Sequence, residues 1–308
     1  MEIYLPIAEQ SMNVFVLLGL GGAAGLLAGM FGVGGGFLAT PLLIFVGIPP
    51  AVAVASQANQ VVANSVSSLQ VQWRRGNVDL RMGLILLLGG MVGSSAGVTL
   101  FTYLKRIGQI DFVIAVLYVV MLSAIGSLML YESVSTWFKR RRHPEAPRGK
   151  LHTHYLVHRL PWKMRFYKSK LYISALLPLG LGFFIGILSA ILGVGGGFVL
   201  VPAMIYLLGM PTTVVIGTSN FQILFVAANV TFLQAATNGT VDVVLALLLI
   251  LGGVVGAPIG ARIAAKLPGV VLRGLMAVLV LAVAVELLTE LLRTPASPYS
   301  LGVRETGL

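Results

Sequence analysis

Gly34, Gly35 and Gly36, and again Gly195, Gly196 and Gly197, interrupt apolar runs, and a proline, Pro41 or Pro202, follows seven residues after the first glycine of each triplet. Each glycine costs a helix interior about 1 kcal/mol relative to alanine, so a triplet marks a break. A glycine-rich break that opens a new half-helix presents free backbone N–H groups at the positive end of the helix dipole, with no side chain to block close approach. That chemistry suits an anion. The competing reading is that the glycines only permit tight helix packing in a membrane. Duplication of the triplet, each copy starting a segment of about half the length needed to span, favours the site. No Gly-Lys-Ser or Gly-Lys-Thr follows either break, which argues against a phosphate-binding P-loop.

A polar but uncharged run follows each break. The first carries Ser56, Gln57, Asn59, Gln60 and Asn64, and the second Thr218, Ser219, Asn220, Gln222 and Asn229. Ser56, Gln60 and Asn64 lie four apart on one helix face, and Thr218 and Gln222 repeat that spacing. Neutral polar groups in lipid need partners, so these faces turn inward, either to bind substrate oxygens or to join helices. The candidate binding set is therefore the two glycine triplets with Ser56, Gln57, Asn59, Gln60, Thr218, Ser219, Asn220 and Gln222. No residue is assigned to catalysis, and no cofactor is expected. All four histidines, His143, His152, His154 and His158, fall in one central segment. His154 and His158 have metal-ligand spacing on a helix, but no cysteine or nearby acid completes a set, so no metal is expected.

The elements that position these residues are membrane helices. Of 308 residues, 57% are hydrophobic and 10% charged, too little polar surface for a soluble globule. Residues 10–73 and 171–241 contain no side chain that is ionised at neutral pH. Since a crossing helix needs about 20 apolar residues, each stretch holds roughly three passes, or two passes and a re-entrant element. Further uncharged spans follow at 83–104, 112–131 and 243–261, with a last helix near 270–292. The net charge of +11 is concentrated: eleven of 21 Lys and Arg lie within residues 132–170, including Lys139, Arg140, Arg141 and Arg142. Such a segment is expected on the cytoplasmic side, attracted to anionic lipid rather than to nucleic acid. Within it, residues 155–170 mix aromatic and basic side chains as an interfacial helix does. Glu2 and Glu9 precede the first apolar run without a basic region, unlike a cleaved signal peptide.

The chain repeats itself. Phe31-Gly-Val-Gly-Gly-Gly-Phe-Leu-Ala-Thr-Pro41 returns as Leu192-Gly-Val-Gly-Gly-Gly-Phe-Val-Leu-Val-Pro202. In the same order Gly76-Asn77-Val78-Asp79 pairs with Gly239-Thr240-Val241-Asp242, at offsets of 161 to 163 residues. Arg74, Arg75 and Arg81 flank the first of these connectors, whereas the second has no basic residue, so the two are expected on opposite faces. Lys105 and Arg106 run against this bias. The expectation is an all-α polytopic membrane protein of two inverted-topology repeats, residues 10–131 and 171–293. About ten membrane segments result, including two short or broken helices after the triplets. Residues 132–170 form a basic cytoplasmic loop, residues 294–308 a tail, and both termini are periplasmic in a bacterial inner membrane. The sequence is compatible with an oligomer.

At these residues the chain resembles the TauE/SafE family of membrane permeases, known as sulfite exporters. The resemblance covers about residues 14–131 and 172–292 and rests on Gly-Val-Gly-Gly-Gly-x-x-x-x-Pro followed by a polar helix, whose family start survives as Gly217-Thr218-Ser219. The first copy departs with Ala55-Ser56-Gln57, so the half-sites need not contribute equally. The resemblance implies a secondary transporter that exports a small sulfur-containing anion, sulfite or an organosulfonate such as sulfoacetate. An anion channel and a non-transporting sulfur-delivery or scaffold protein are the alternatives. An enzyme is disfavoured, because the helices hold no paired aspartates and no Ser-His constellation.

Overall fold

A computed structural model describes residues 2–31, 36–142, 162–169, 171–266 and 269–292. Each half of the chain opens with a short antiparallel hairpin. In the first, β1 (Glu2–Leu5) pairs with β2 (Gln10–Asn13). Helices α1 (Val14–Phe31), α2 (Gly36–Phe45), α3 (Pro50–Arg74), α4 (Leu80–Arg106) and α5 (Ile110–Arg142) follow. The second half repeats the order: β3 (Lys163–Phe166) and β4 (Leu171–Ser174), then α6 (Leu176–Leu192), α7 (Gly197–Tyr206), α8 (Thr212–Leu233), α9 (Val243–Lys266) and α10 (Gly269–Leu292). Among the described residues five helices are long and apolar enough to cross a membrane: α4, α5, α8 with the π-helical turn Gln234–Asn238, α9 and α10. α3 matches them in length with 25 residues, but its polar row lowers its hydropathy. α2 and α7 have 10 residues each, roughly 15 Å of helix.

The hairpin over β3 and β4 corrects the expectation of an interfacial helix over residues 155–170. From Lys163 to Phe166 the strand pairs with Ser174 to Leu171, and the period is two. Phe166 and Ile173 are buried while Arg165 and Tyr172 face out. Aromatic and basic residues in alternation fit a half-buried strand as well as a helix face, and burial of Phe166 decides it. Residues 155–161, the four histidines and the 294–308 tail lie outside the described residues.

Packing between the halves is reciprocal. α1 lies along α9, and α4 along α6, at distances that only glycine allows. A Cβ on Gly21, Gly25 or Gly29 would fall 2.6, 2.5 or 2.0 Å from the backbone oxygens of Leu249, Gly253 or Ala257. A Cβ on Gly93 or Gly97 would likewise meet Phe183 O at 2.0 Å or Ile187 Cα at 2.9 Å. Spacing of four residues puts these glycines on one helix stripe, so two backbones approach and gain dispersion contacts over several turns. These are the packing glycines, and they are distinct from the triplets.

α2 doubles back. Gln10 Nε2 donates to Gly47 O at 3.0 Å, and Leu43 and Ile48 pack with Leu5, Ala8 and Leu17. The chain thus returns to the end of the molecule from which α1 left, and α3 starts there with Pro50 at its first turn. Lys105, anomalous by charge bias, donates Nζ to Asn238 O at 2.9 Å. It there satisfies a carbonyl at the end of the π-helical turn, a structural task for a cation near a helix C-terminus.

Candidate functional site

The second triplet is fully described, and its backbone explains its composition. α6 ends at Gly193, whose N–H bonds Ser189 O at 2.9 Å and whose φ of +68° is a left-handed cap. Gly195 and Gly196 follow at φ +69° and +75°, and α7 begins at Gly197. The first triplet contributes Gly36, the first residue of α2, while Gly34 and Gly35 lie outside the described residues.

The two breaks meet. A Cβ on Gly36 would stand 3.2 Å from Val194 Cα and 2.7 Å from Val61 Cγ2. On Gly195 it would stand 2.4 Å from Val61 Cγ1 and 2.9 Å from Ile223 Cγ2. One residue along each short helix, Phe37 and Phe198 stack with ring centroids 4.5 Å apart and planes 5° from parallel. The N-terminal turns of α2 and α7, with their positive dipole ends, therefore sit together in the buried interior. Within each helix, Pro41 or Pro202 supplies no N–H to the carbonyl of Phe37 or Phe198. Beside the rings is an apolar cavity of about 10 Å³, lined in part by Tyr118, Leu192, Gly196 and Phe198, with room for roughly one water. Tyr118 donates its hydroxyl to Leu192 O, tying α5 to the end of α6 just before the break.

The polar row divides by task. Ser56 and Thr218, two of the candidate ligands, accept backbone N–H groups from the opposite half: Asp242 N to Ser56 Oγ at 2.9 Å and Asp79 N to Thr218 Oγ1 at 3.0 Å. Gln60 Nε2 bridges Gly21 O and Leu249 O, and Gln57 Nε2 donates to Gln60 Oε1. Asn59 bonds Ser56 O, Ser219 bonds Ile216 O, and Asn220 reaches both Ile216 O and Ser68 Oγ. All are buried except Asn59, which is half-buried. Gln222, Gln57 Oε1, Ser65 Oγ and Ser189 Oγ are buried with no hydrogen-bond partner among the described residues.

Two residues that sequence reasoning used only as repeat markers hold the ends together. Asp79 caps α4 through Met82 N at 3.2 Å, and its other oxygen accepts from Ser169 N at 3.0 Å and Ser169 Oγ at 2.7 Å in the β3–β4 turn. Asp242 caps α9 through Leu245 N and accepts from Ile7 N in the β1–β2 turn, both at 3.0 Å. Each aspartate thus binds the hairpin at one end of the molecule to the polar helix beside it. The signal was present: two acids at matched positions bordering uncharged stretches, each three residues after a glycine with left-handed φ, Gly76 and Gly239. Among the described residues no cluster of three or more His, Asp or Glu forms a metal site.

The family model described as "Sulfite exporter TauE/SafE" matches residues 17–287. A "Probable membrane transporter protein" of Xylella fastidiosa (strain 9a5c) is 30% identical over 79% of this chain and 81% of its own length. In Bacillus subtilis (strain 168), the "Probable membrane transporter protein YjnA" is 28% identical over 79% of this chain and 87% of its own, and YunE, of the same description, 26% over 78% and 85%. No solved structure matches.

Proposed function

This chain belongs to the sulfite exporter TauE/SafE family and is a multi-pass membrane transporter, and from that premise we propose that it exports a small sulfur-containing anion, sulfite or an organosulfonate such as sulfoacetate, across a bacterial inner membrane. The observation that carries the anion reading is the convergence of two helix N-termini, one from each half, at glycine backbone over which Val61 and Ile223 close. Dipole ends of one sign at one place favour negative charge.

The reciprocal contacts support inverted repeats. Each half sends its first long helix against the fourth helix of the other, and each doubles back at the opposite end. On this reading α1–α2 and α6–α7 are re-entrant pairs and α3, α4, α5, α8, α9 and α10 cross. Arg74, Arg75, Arg81, Arg165 and Lys168 are exposed at or next to the β3–β4 end, which is therefore cytoplasmic. There Arg81 lies over the Tyr167 ring at 5.2 Å and Arg165 over Tyr172 at 6.0 Å, a basic and aromatic rim suited to anionic lipid headgroups.

The test is flux in proteoliposomes of the purified full chain, with ³⁵S-labelled sulfite, sulfoacetate, taurine, sulfate and thiosulfate. Saturable flux of a sulfite or sulfonate anion is expected. Single-channel currents would contradict a carrier, and no flux of any of the five would contradict the anion assignment.

A further inference from the structure

The reciprocity between the halves fails at one buried side chain. In the first half Gln60 is saturated: Nε2 lies 3.1 Å from Gly21 O and 2.9 Å from Leu249 O, and Oε1 accepts from Gln57 at 2.8 Å. Gln222 holds the matching position in the second half and is equally buried, yet among the described residues neither its Nε2 nor its Oε1 has a partner. Ser219 stands where Gln57 stands and spends its hydroxyl on its own helix, at Ile216 O. Ser189, whose hydroxyl is also buried and unpartnered, stands where the first half has Ala28. Gly90 makes the room: a Cβ there would lie 2.7 Å from Gln222 Nε2. The amide therefore faces α4 at Gly90, one residue along α8 from Ile223, which packs on the Gly195 break.

A buried amide with both ends unpaired is strongly disfavoured unless something completes it. Resting on the anion reading above, we propose that the two half-sites are unequal: Gln222 contacts the transported anion, donating Nε2–H to an oxyanion oxygen, while Gln60 is a positioning residue that joins α1, α3 and α9. Oε1 of Gln222 then accepts from the hydration water that travels with the anion or from a donor on it.

Methionine at each position removes hydrogen bonding at near-constant volume. In proteoliposomes of the full chain, Gln222→Met is expected to raise KM for ³⁵S-labelled sulfite about tenfold while melting at or above the wild-type temperature in substrate-free detergent solution. Gln60→Met is expected to melt lower, with a rise in KM severalfold smaller than that of Gln222→Met. Should Gln222→Met fail to fold, Gln222→Asn, which keeps the amide one methylene short, is expected to give the same rise in KM. Wild-type KM in the folded Gln222 variant, or equal KM changes at the two positions, would overturn the proposal. A lowered melting temperature with unchanged KM would show that a resident water completes the amide, and also overturns it. If wild-type protein moves no sulfur anion, the anion reading falls and this inference with it, an outcome distinct from flux that ignores Gln222.

Discussion

Gly193→Ala is expected to leave a protein that inserts in the membrane but melts several kcal/mol less stable and does not transport. At φ +68° an alanine meets the left-handed penalty, roughly 1–2 kcal/mol. Its Cβ would also fall 2.4 Å from Val54 O and 2.8 Å from Val54 Cα, backbone atoms of α3 that cannot swing aside. Relief requires α3 to move away from the break, which separates Val61 from Gly36 and Gly195. Gly76→Ala is the control. Its φ of +69° carries the same penalty, but nothing lies within 4 Å of the added carbon. That variant is expected to lose only about 1 kcal/mol and to keep its flux. Thermal unfolding and ³⁵S-sulfite flux on both proteins separate backbone strain from collapse of the break. Equal behaviour of the two would show that close approach at Gly193 is unimportant.

Asp79→Ala and Asp242→Ala are expected to have the next largest effects, with Asp79 the greater. Removal of Asp79 takes away a cap worth about 1 kcal/mol and leaves Ser169 N and Oγ buried without their charged acceptor, each worth about 1.5–3 kcal/mol. Asp242 loses its cap and one such bond, to Ile7 N. Melting in detergent orders the two. Location is tested by side-specific labelling, since the chain contains no cysteine of its own. A cysteine placed at Ala8, buried in the turn of the first hairpin, is expected to become reactive from the periplasmic side in Asp242→Ala and to stay protected in Asp79→Ala. Reactivity in both variants would mean that the two ends do not act independently.

Duplication of the break follows from spacing that a sequence displays directly, because three adjacent glycines have few uses inside an apolar run. The division among the glycines does not. Gly21, Gly25 and Gly29 lie on one stripe as plainly as any triplet, but which backbone they touch is decided by α9, more than 200 residues away. The polar row was correctly turned inward, yet Ser56 and Thr218 bind backbone of the opposite half, a partner that period and composition do not reveal. Asp79 and Asp242 were visible as matched acids, and their task became plain only when the hairpins they hold were placed. Those hairpins escaped because four-residue strands carry only two alternations, too few to distinguish a period of two from an amphipathic turn.

Binding of the anion where the two breaks meet, as proposed above, can be read by a reporter placed at that point. Val194 lies in the second break against Gly36 and is nearly fully buried, so Val194→Cys is a conservative reporter in a chain without other thiols. The measurement is its rate of alkylation by iodoacetamide in proteoliposomes, with and without saturating sulfoacetate, an anion inert toward the reagent. The account predicts slow alkylation that sulfoacetate suppresses at the concentrations that half-saturate its flux. Unchanged alkylation at concentrations that saturate transport would contradict it.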